Sequence, residues 1–491
     1  MKSLKIILSL LLCLVLAFPL CSCSNSADAY IYFELPFVPE TLDPQIASTD
    51  SELLIVKNVY EGLLRKDENG KIVPAAAKDY KKDGLTYTFN IKDNLKWSNG
   101  DKLTAADFEF ALKRAVNPVT KAPFVSRLFS IANAKEIYYG NAPIDSLGVK
   151  AESDDTLKIT LAYEDSLFTD ALTTSIAMPC NEKVFNESDG KYGIFADKSV
   201  YNGSYELSRW RKESFGIRLY KNKEYNGNFH AKNAAVFLTC NNEDTLGKLK
   251  KNSIDMAFID TYLTDEAENS GLKTSKVENI CWVLTVGNEF SSNMRKSLSL
   301  LLGEEVFKNS LKCGYRYADS IFPSALGYEY VGTKSYNVDE AKSLYLQEII
   351  KLESKKFSPS TALYYYNDGA SKSVVTDIVG HWQSNLSAFV NIEEASEADL
   401  LLSQLTDNTY SMAIFPVRAD SGRLYEYLEK YNITYNGQEL SDIENQISKS
   451  NYVFPIMYQN TVIAYSTALS NVAAELGNGY IDFAYIVKTE K

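Results

Sequence analysis

Between residues 85 and 92 apolar and polar positions alternate, with Leu85, Tyr87, Phe89 and Ile91 set against Thr86, Thr88, Asn90 and Lys92. Period two predicts a strand with one apolar face and one wet face. Ser98-Asn99-Gly100-Asp101 follows, a turn in which Asn-Gly readily supplies positive φ. Thr104 stands three residues before Asp107, a capping-box-like pair. Phe108, Ala111, Leu112 and Ala115 then recur at helical spacing until Pro118 ends the run. The stretch holds no catalytic residue, and its pattern alone reads as scaffold.

The same reading along the chain finds short strands alternating with helices, which is α/β character. Residues 30–33, 232–239, 362–366 and 410–415 read as strands. Residues 51–63, 293–309 and 372–386 read as helices, the first through Leu53, Leu54, Val56, Val59 and Leu63. No internal repeat, low-complexity block or long Pro/Gly/Ser linker divides the chain. With 491 residues it exceeds the roughly 250–300 at which a single core stops growing. Two lobes are expected, joined by strands that cross between them, a hinge arrangement.

Residues 1–22 are a different material. Lys2 and Lys5 open a run, Ile6 to Leu20, that is almost purely apolar. Fifteen residues rise about 22 Å as a helix, short of the roughly 30 Å of a bilayer core, so the segment reads as a signal peptide. Leu20-Cys21-Ser22-Cys23 resembles a bacterial lipobox, with Cys23 as the lipidated new N-terminus. The alternative is an ordinary secretory signal with incidental cysteines. Residues 24–29, SNSADA, are small and polar, as a tether should be.

Composition narrows the classes. Apolar residues make up 45% and charged residues 23%, an ordinary globular balance. The net charge of −12 leaves no basic patch for nucleic acid. Only two histidines occur, His230 and His381, and neither has metal-ligand spacing around it. There is no HExxH, GxSxG, Walker or GxGxxG pattern, so no metal, nucleotide or other cofactor is expected. A hydrolase built on paired carboxylates remains conceivable, but with 63 acidic residues chance pairs are common. Beside Cys23 the mature body holds Cys180, Cys240, Cys281 and Cys313. Buried free thiols are the default expectation, and a disulfide is the alternative that an extracytoplasmic compartment permits.

The stretch "LTYTFNIKDNLKWSNGDKLTAADFEFALKR" (85–114) resembles the signature segment of the family 5 extracellular solute-binding proteins of ABC importers, the oligopeptide- and dipeptide-binding group. "LDP" (42–44), "YEGL" (60–63) and "ENGKIVPAAAKDY" (68–80) precede it in the family's order. "NGSYELSRW" (202–210), "YKNKEYNG" (220–227), "NSIDMA" (252–257), "VDEAKSLY" (338–345), "HWQSNL" (381–386), "PIMYQ" (455–459) and "YIVK" (485–488) continue that order. Each block is weak alone; their sequence along the chain is specific.

The resemblance implies an α/β, bilobal periplasmic-binding-protein-like fold, type II and cluster C-like, with an extra subdomain in the first lobe. On that scheme residues 1–22 are the signal peptide and 23–29 the tether. Residues 30–50, 175–262 and 455–491 form a discontinuous first lobe, 51–174 its extra subdomain, and 263–454 the second lobe. It implies a protein, not an enzyme, that captures peptides between the lobes. It would deliver them to an ABC permease with its ATPase subunits, from a lipid-anchored position on the extracytoplasmic face, as a monomer. The peptide α-ammonium needs a carboxylate, and "VRADSGRLYEYL" (417–428) places Asp420 in that role. The implied peptide-contacting segments are Ser48, Thr49 and Asp50, and Pro416 to Arg418, with Val417 where the family has an aromatic. Arg418 would recruit a ligand carboxylate, and Tyr458 is a candidate wall residue. Departures from the family pattern are Pro416, Ser204, Tyr80, Gly303 and the Ser-Gly-Arg-Leu after Asp420. They leave open a receptor or sensor, or a non-peptide solute.

Overall fold

The computed structural model describes residues 30–489 except 37, 68, 208–209, 211–215, 240–243, 327–333, 352–360, 398, 401–409, 420–423, 432, 434–437, 451, 473 and 476–479. Among the described residues, one 11-stranded mixed sheet runs through the molecule. Its strands lie in the order Asn391–Glu394, Ala362–Tyr365, Met412–Arg418, Lys273–Val286, Val453–Tyr465, Met256–Ile259, Ile31–Leu35, Ala235–Thr239, Gly216–Lys221 and Tyr205–Leu207. Tyr315–Tyr317 adds to the side of Val453–Tyr465. Two long antiparallel strands, Lys273–Val286 and Val453–Tyr465, join one half of the sheet to the other.

The buried apolar residues divide at these two strands. One cluster includes Phe33, Leu54, Phe108, Phe237, Met256 and Ile463. Two others flank the sheet between residues 280 and 458. One takes Ile280, Trp282, Leu284 and Val286, and the other takes Cys281 and Val283 from the same strand. That strand is buried on both faces, so its run reads as continuously apolar instead of alternating. The fold is the expected bilobal α/β type.

The signature segment forms the expected unit. Thr86–Ile91 is a central strand of a separate antiparallel sheet, paired with Ala77–Asp83 on one side and Thr156–Thr160 on the other. Tyr87, Phe89 and Ile91 are buried while Thr86, Thr88 and Asn90 are half-buried. Gly100 adopts φ +88° in the turn. Helix Ala105–Val116 starts where Asp107 accepts from the Thr104 N–H at 2.8 Å. Its last turn carries Arg114, whose guanidinium reaches Asp43 of the LDP block at 2.5 Å and Gln45 Oε1 at 2.7 Å. Two of the blocks that carry the resemblance are therefore one ion pair.

Three expectations need correction. The helix expected over 51–63 ends at Val59, because Tyr60 turns extended at φ −119°, ψ 154°. The helix expected over 293–309 is two, Ser292–Ser299 and Glu304–Phe307, because Gly303 breaks it in an extended conformation. Ser48 to Asp50, which the resemblance implies as a peptide-contacting backbone strand, is instead the entry to helix Asp50–Val59, with Thr49 as its N-cap. Cys180 and Cys281 are buried free thiols and Cys313 is a half-buried one; Cys240 and residues 1–29, with Cys23, lie outside the described residues. Among the described residues, no helix is long and apolar enough to cross a membrane.

Candidate functional site

Where the two long strands pass from one half to the other, their register shifts between Glu278 and Ile280. Asn279 sits in that bulge. Its Oδ1 accepts from Thr461 Oγ1 at 2.8 Å, and its carbonyl accepts from the Ala419 N–H at 2.7 Å. A bulge bends a strand and adds twist, which suits a crossing point. Gln459 ties the halves together there. Trp282 Nε1 donates to Gln459 Oε1 at 2.6 Å, and Gln459 Nε2 donates to Thr261 Oγ1 at 3.2 Å.

A cavity of about 570 Å3 opens against this crossing. Its walls come from both halves. Glu34, Ser48, Thr49, Asp50, Phe258 and Asp260 contribute from one, and Ile280, Tyr366, Glu397 and Arg418 from the other. Gln459 to Val462 form its floor at the strands themselves. The size falls within the roughly 300–1,000 Å3 of small-ligand sites.

The charged groups of the wall are held in distinct ways. Glu34 is buried and receives Lys248 Nζ at 2.5 Å and Thr245 Oγ1 at 2.6 Å. Arg418 Nε lies 3.4 Å from Glu397 Oε1. Asp50 stands in the first turn of its helix, where the dipole favours a carboxylate. Asp260 accepts from Tyr262 Oη at 3.1 Å. Burial, with Asp260 adding, raises the Tyr262 phenol above its ordinary pKa; burial, with Glu397 adding, does the same for Tyr366. Both phenols therefore stay protonated near neutral pH and can donate.

The backbone is less open than an added peptide strand would want. The Ser48 and Thr49 N–H groups already donate to Glu52 Oε2 at 2.9 and 3.0 Å, and Glu40 and Thr41 donate to its other oxygen. Tyr366 N–H donates to the Ile414 carbonyl, so alternate residues 414, 416 and 418 face the side away from Lys273–Val286. Pro416 brings no N–H to that side, and the Arg418 carbonyl accepts from Lys430 Nζ at 2.6 Å.

Residues 71–439 match the profile described as "Bacterial extracellular solute-binding proteins, family 5 Middle". The chain belongs to this family. Family 5 proteins are solute-binding proteins, not enzymes. The chain is 36% identical to the dipeptide-binding protein of Lactococcus lactis over 248 residues, 49% of this chain and 45% of that protein. It is 27% identical to the oligopeptide-binding protein OppA of Bacillus subtilis over 428 residues, 83% of this chain and 78% of that one. Among solved structures it superposes on the murein tripeptide binding protein MppA of Escherichia coli with a TM-score of 0.77. That alignment has 18% identity and covers 95% of this chain and 100% of that one. The Haemophilus influenzae OppA complex with RPPGFSPFR gives a TM-score of 0.77 at 20% identity, over 94% and 99% of the two chains.

Within this family 5 fold the expected site residues scatter. Ser48, Thr49, Asp50 and Arg418 line the cavity. Val417 does not; it is buried with Phe415 and Val283 on the other face of its strand. Tyr458 does not either, since its Oη donates to the Ser320 carbonyl at 2.7 Å and Arg316 lies 4.4 Å over its ring. In both cases the neighbour in sequence, Arg418 or Gln459, is the wall residue, because successive strand residues face opposite sides. Asp420 lies outside the described residues, directly after Ala419 at the bulge. Sequence reasoning missed Asp260, Tyr366, Glu397 and Gln459. Two of them carried a signal, as Gln459 ends the PIMYQ block and Tyr366 the ALYYY run.

Proposed function

We propose that this family 5 protein is a lipid-anchored extracytoplasmic receptor of an ABC importer. It captures peptides between its lobes and hands them to a membrane permease driven by ATPase subunits. The observation that carries the reading is the cavity at the strand crossing, walled by residues of both halves. The names of the Lactococcus and Bacillus relatives, dipeptide-binding and oligopeptide-binding, supply the ligand class. The chemistry of the wall suits peptides, with the Tyr366 phenol, the Gln459 and Asn460 amides and both signs of charge beside apolar side chains such as Leu35, Phe124 and Phe258. The taken amides at Ser48 and Thr49 and the missing one at Pro416 favour side-chain and water-mediated contacts over a continuous added strand.

The test is to incubate the purified chain with a tryptic peptide digest and read retained masses by native mass spectrometry, with small-angle scattering on the same samples. Retained peptides and a smaller radius of gyration on saturation are expected, because closing lobes shrink the particle. No retained peptide would end the peptide reading, and an unchanged profile with peptide bound would end the closing one.

The anchor is tested separately. Two or three acyl chains, at about 0.8 kcal/mol per buried methylene, hold a protein stably where a polar tether cannot. Cys23→Ala should move the protein from the membrane fraction to the soluble one. Fractionation identical to wild type would show that Cys23 is not the lipid site.

A further inference from the structure

Four carboxylates line the cavity: Glu34, Asp50, Asp260 and Glu397. Three already meet positive charge within the protein. Glu34 has Lys248, Glu397 has Arg418, and Asp50 has the N-terminus of its own helix. Asp260 does not. It follows strand Met256–Ile259 and precedes the short turn Thr261–Leu263, whose N–H groups its side chain does not cap. Its side chain has the Tyr262 phenol at 3.1 Å, and among the described residues no cation lies within 4.0 Å of it. Lys312 is close, but its Nζ sits 4.9 Å over the Tyr262 ring and donates to the Gly369 carbonyl at 3.3 Å. One neutral hydrogen bond leaves an ionised carboxylate with most of its acceptor capacity unused.

The surroundings make that capacity useful to a ligand. Tyr366 lies across the cavity from the Asp260 side, on the opposite half, with its ring stacked 6.2 Å from Trp282. An aromatic ring and a carboxylate lining one cavity are what an ammonium or guanidinium group seeks. The lining holds two cations, Arg418 beside Glu397 and the buried Arg127 at 4.4 Å over the Phe124 ring, and a ligand carboxylate would have to displace Glu397 to reach Arg418. We propose that Asp260 receives a positively charged group of the bound solute, so that the cavity prefers cationic ligands. The inference rests on the peptide reading above, and that group is then either a basic side chain or the α-ammonium.

Four pools of mixed-sequence pentapeptides separate the cases. One position is lysine or the uncharged norleucine, and the N-terminus is free or acetylated. Binding to the full mature chain is measured by calorimetry for wild type and for Asp260→Asn, an isosteric change on an exposed loop residue whose folding is checked by its melting temperature. Wild type should bind one charged pool at least tenfold more tightly than its uncharged counterpart, and Asp260→Asn should shrink that ratio to threefold or less. A ratio that follows lysine assigns a side-chain cation to Asp260; one that follows the free terminus assigns the α-ammonium. Equal binding of all four pools by wild type, or an undiminished ratio in Asp260→Asn, overturns the inference and leaves the peptide reading standing. Wild type binding none of the pools removes the peptide reading, and this one with it.

Discussion

Replacing Asp43 with asparagine is expected to lower the unfolding free energy by about 3–5 kcal/mol, the usual cost of removing one partner from a buried ion pair. Asp43 is 3% exposed and meets the Arg114 guanidinium through both oxygens, at 2.5 and 3.3 Å. Arg114 is packed 4.1 Å over the Phe185 ring, so it cannot swing to water when its partner goes. Asparagine keeps the size of the side chain and the acceptor that the Gln45 N–H uses at 3.1 Å. The loss is therefore one of charge, not of shape. A desolvated guanidinium would be left with neutral side-chain oxygens only, Gln45 Oε1 and the Oδ1 kept at position 43. The melting temperature should fall by several degrees. The double variant Asp43→Asn with Arg114→Met should regain more than half of the loss, because no charge then remains buried. Calorimetric melting of the four proteins measures this. A double variant as unstable as the sum of the singles would show that the pair is not the source of the cost.

Asp420→Asn is expected to weaken peptide binding roughly tenfold to a hundredfold. Charge-assisted hydrogen bonds contribute about 1.5–3 kcal/mol each, and every 1.4 kcal/mol is about tenfold in affinity. Its predecessor Ala419 is buried and bonded to the carbonyl of Asn279 in the strand bulge. If Asp420 holds the α-ammonium, N-acetylating the peptide should weaken wild type by a similar factor and add little in the mutant. Both changes delete the same interaction, so their effects should not add. Calorimetry on the four combinations of protein and peptide gives the coupling directly. Additive losses would mean that Asp420 and the peptide amine do not meet. Since Asp260 competes for the same amine in the other proposal, the two variants tested with one peptide set assign each carboxylate its own group.

Much of the scaffold was legible before any coordinates. The alternation over residues 85–92, the Asn-Gly turn and the Thr104–Asp107 pair mark a strand, a turn and a helix start, and all three form there. Such elements are local, because their causes lie within a few residues of one another. The order of the weak blocks was equally legible, and with it the family and the bilobal class. The helix expected over 293–309 failed at one residue, since three leucines in a row hide the stop that Gly303 imposes.

The site was another matter. Arg114 and Asp43 lie 71 residues apart, and no spacing rule joins them; the packing of helix Ala105–Val116 against the LDP block does. In strands Met412–Arg418 and Val453–Tyr465 both faces are buried, so the period-two signal that tells inside from outside is gone. With it went the means of choosing Arg418 over Val417, or Gln459 over Tyr458. That choice turns on a register shift at Asn279, an event between strands from positions 273 and 453. Asp260 looks in the sequence like any loop acid before a tyrosine. Only the assembled wall shows that its three neighbours in charge are already matched and that it is not, because a carboxylate's partner is decided by distance in space, which a chain of local patterns does not encode.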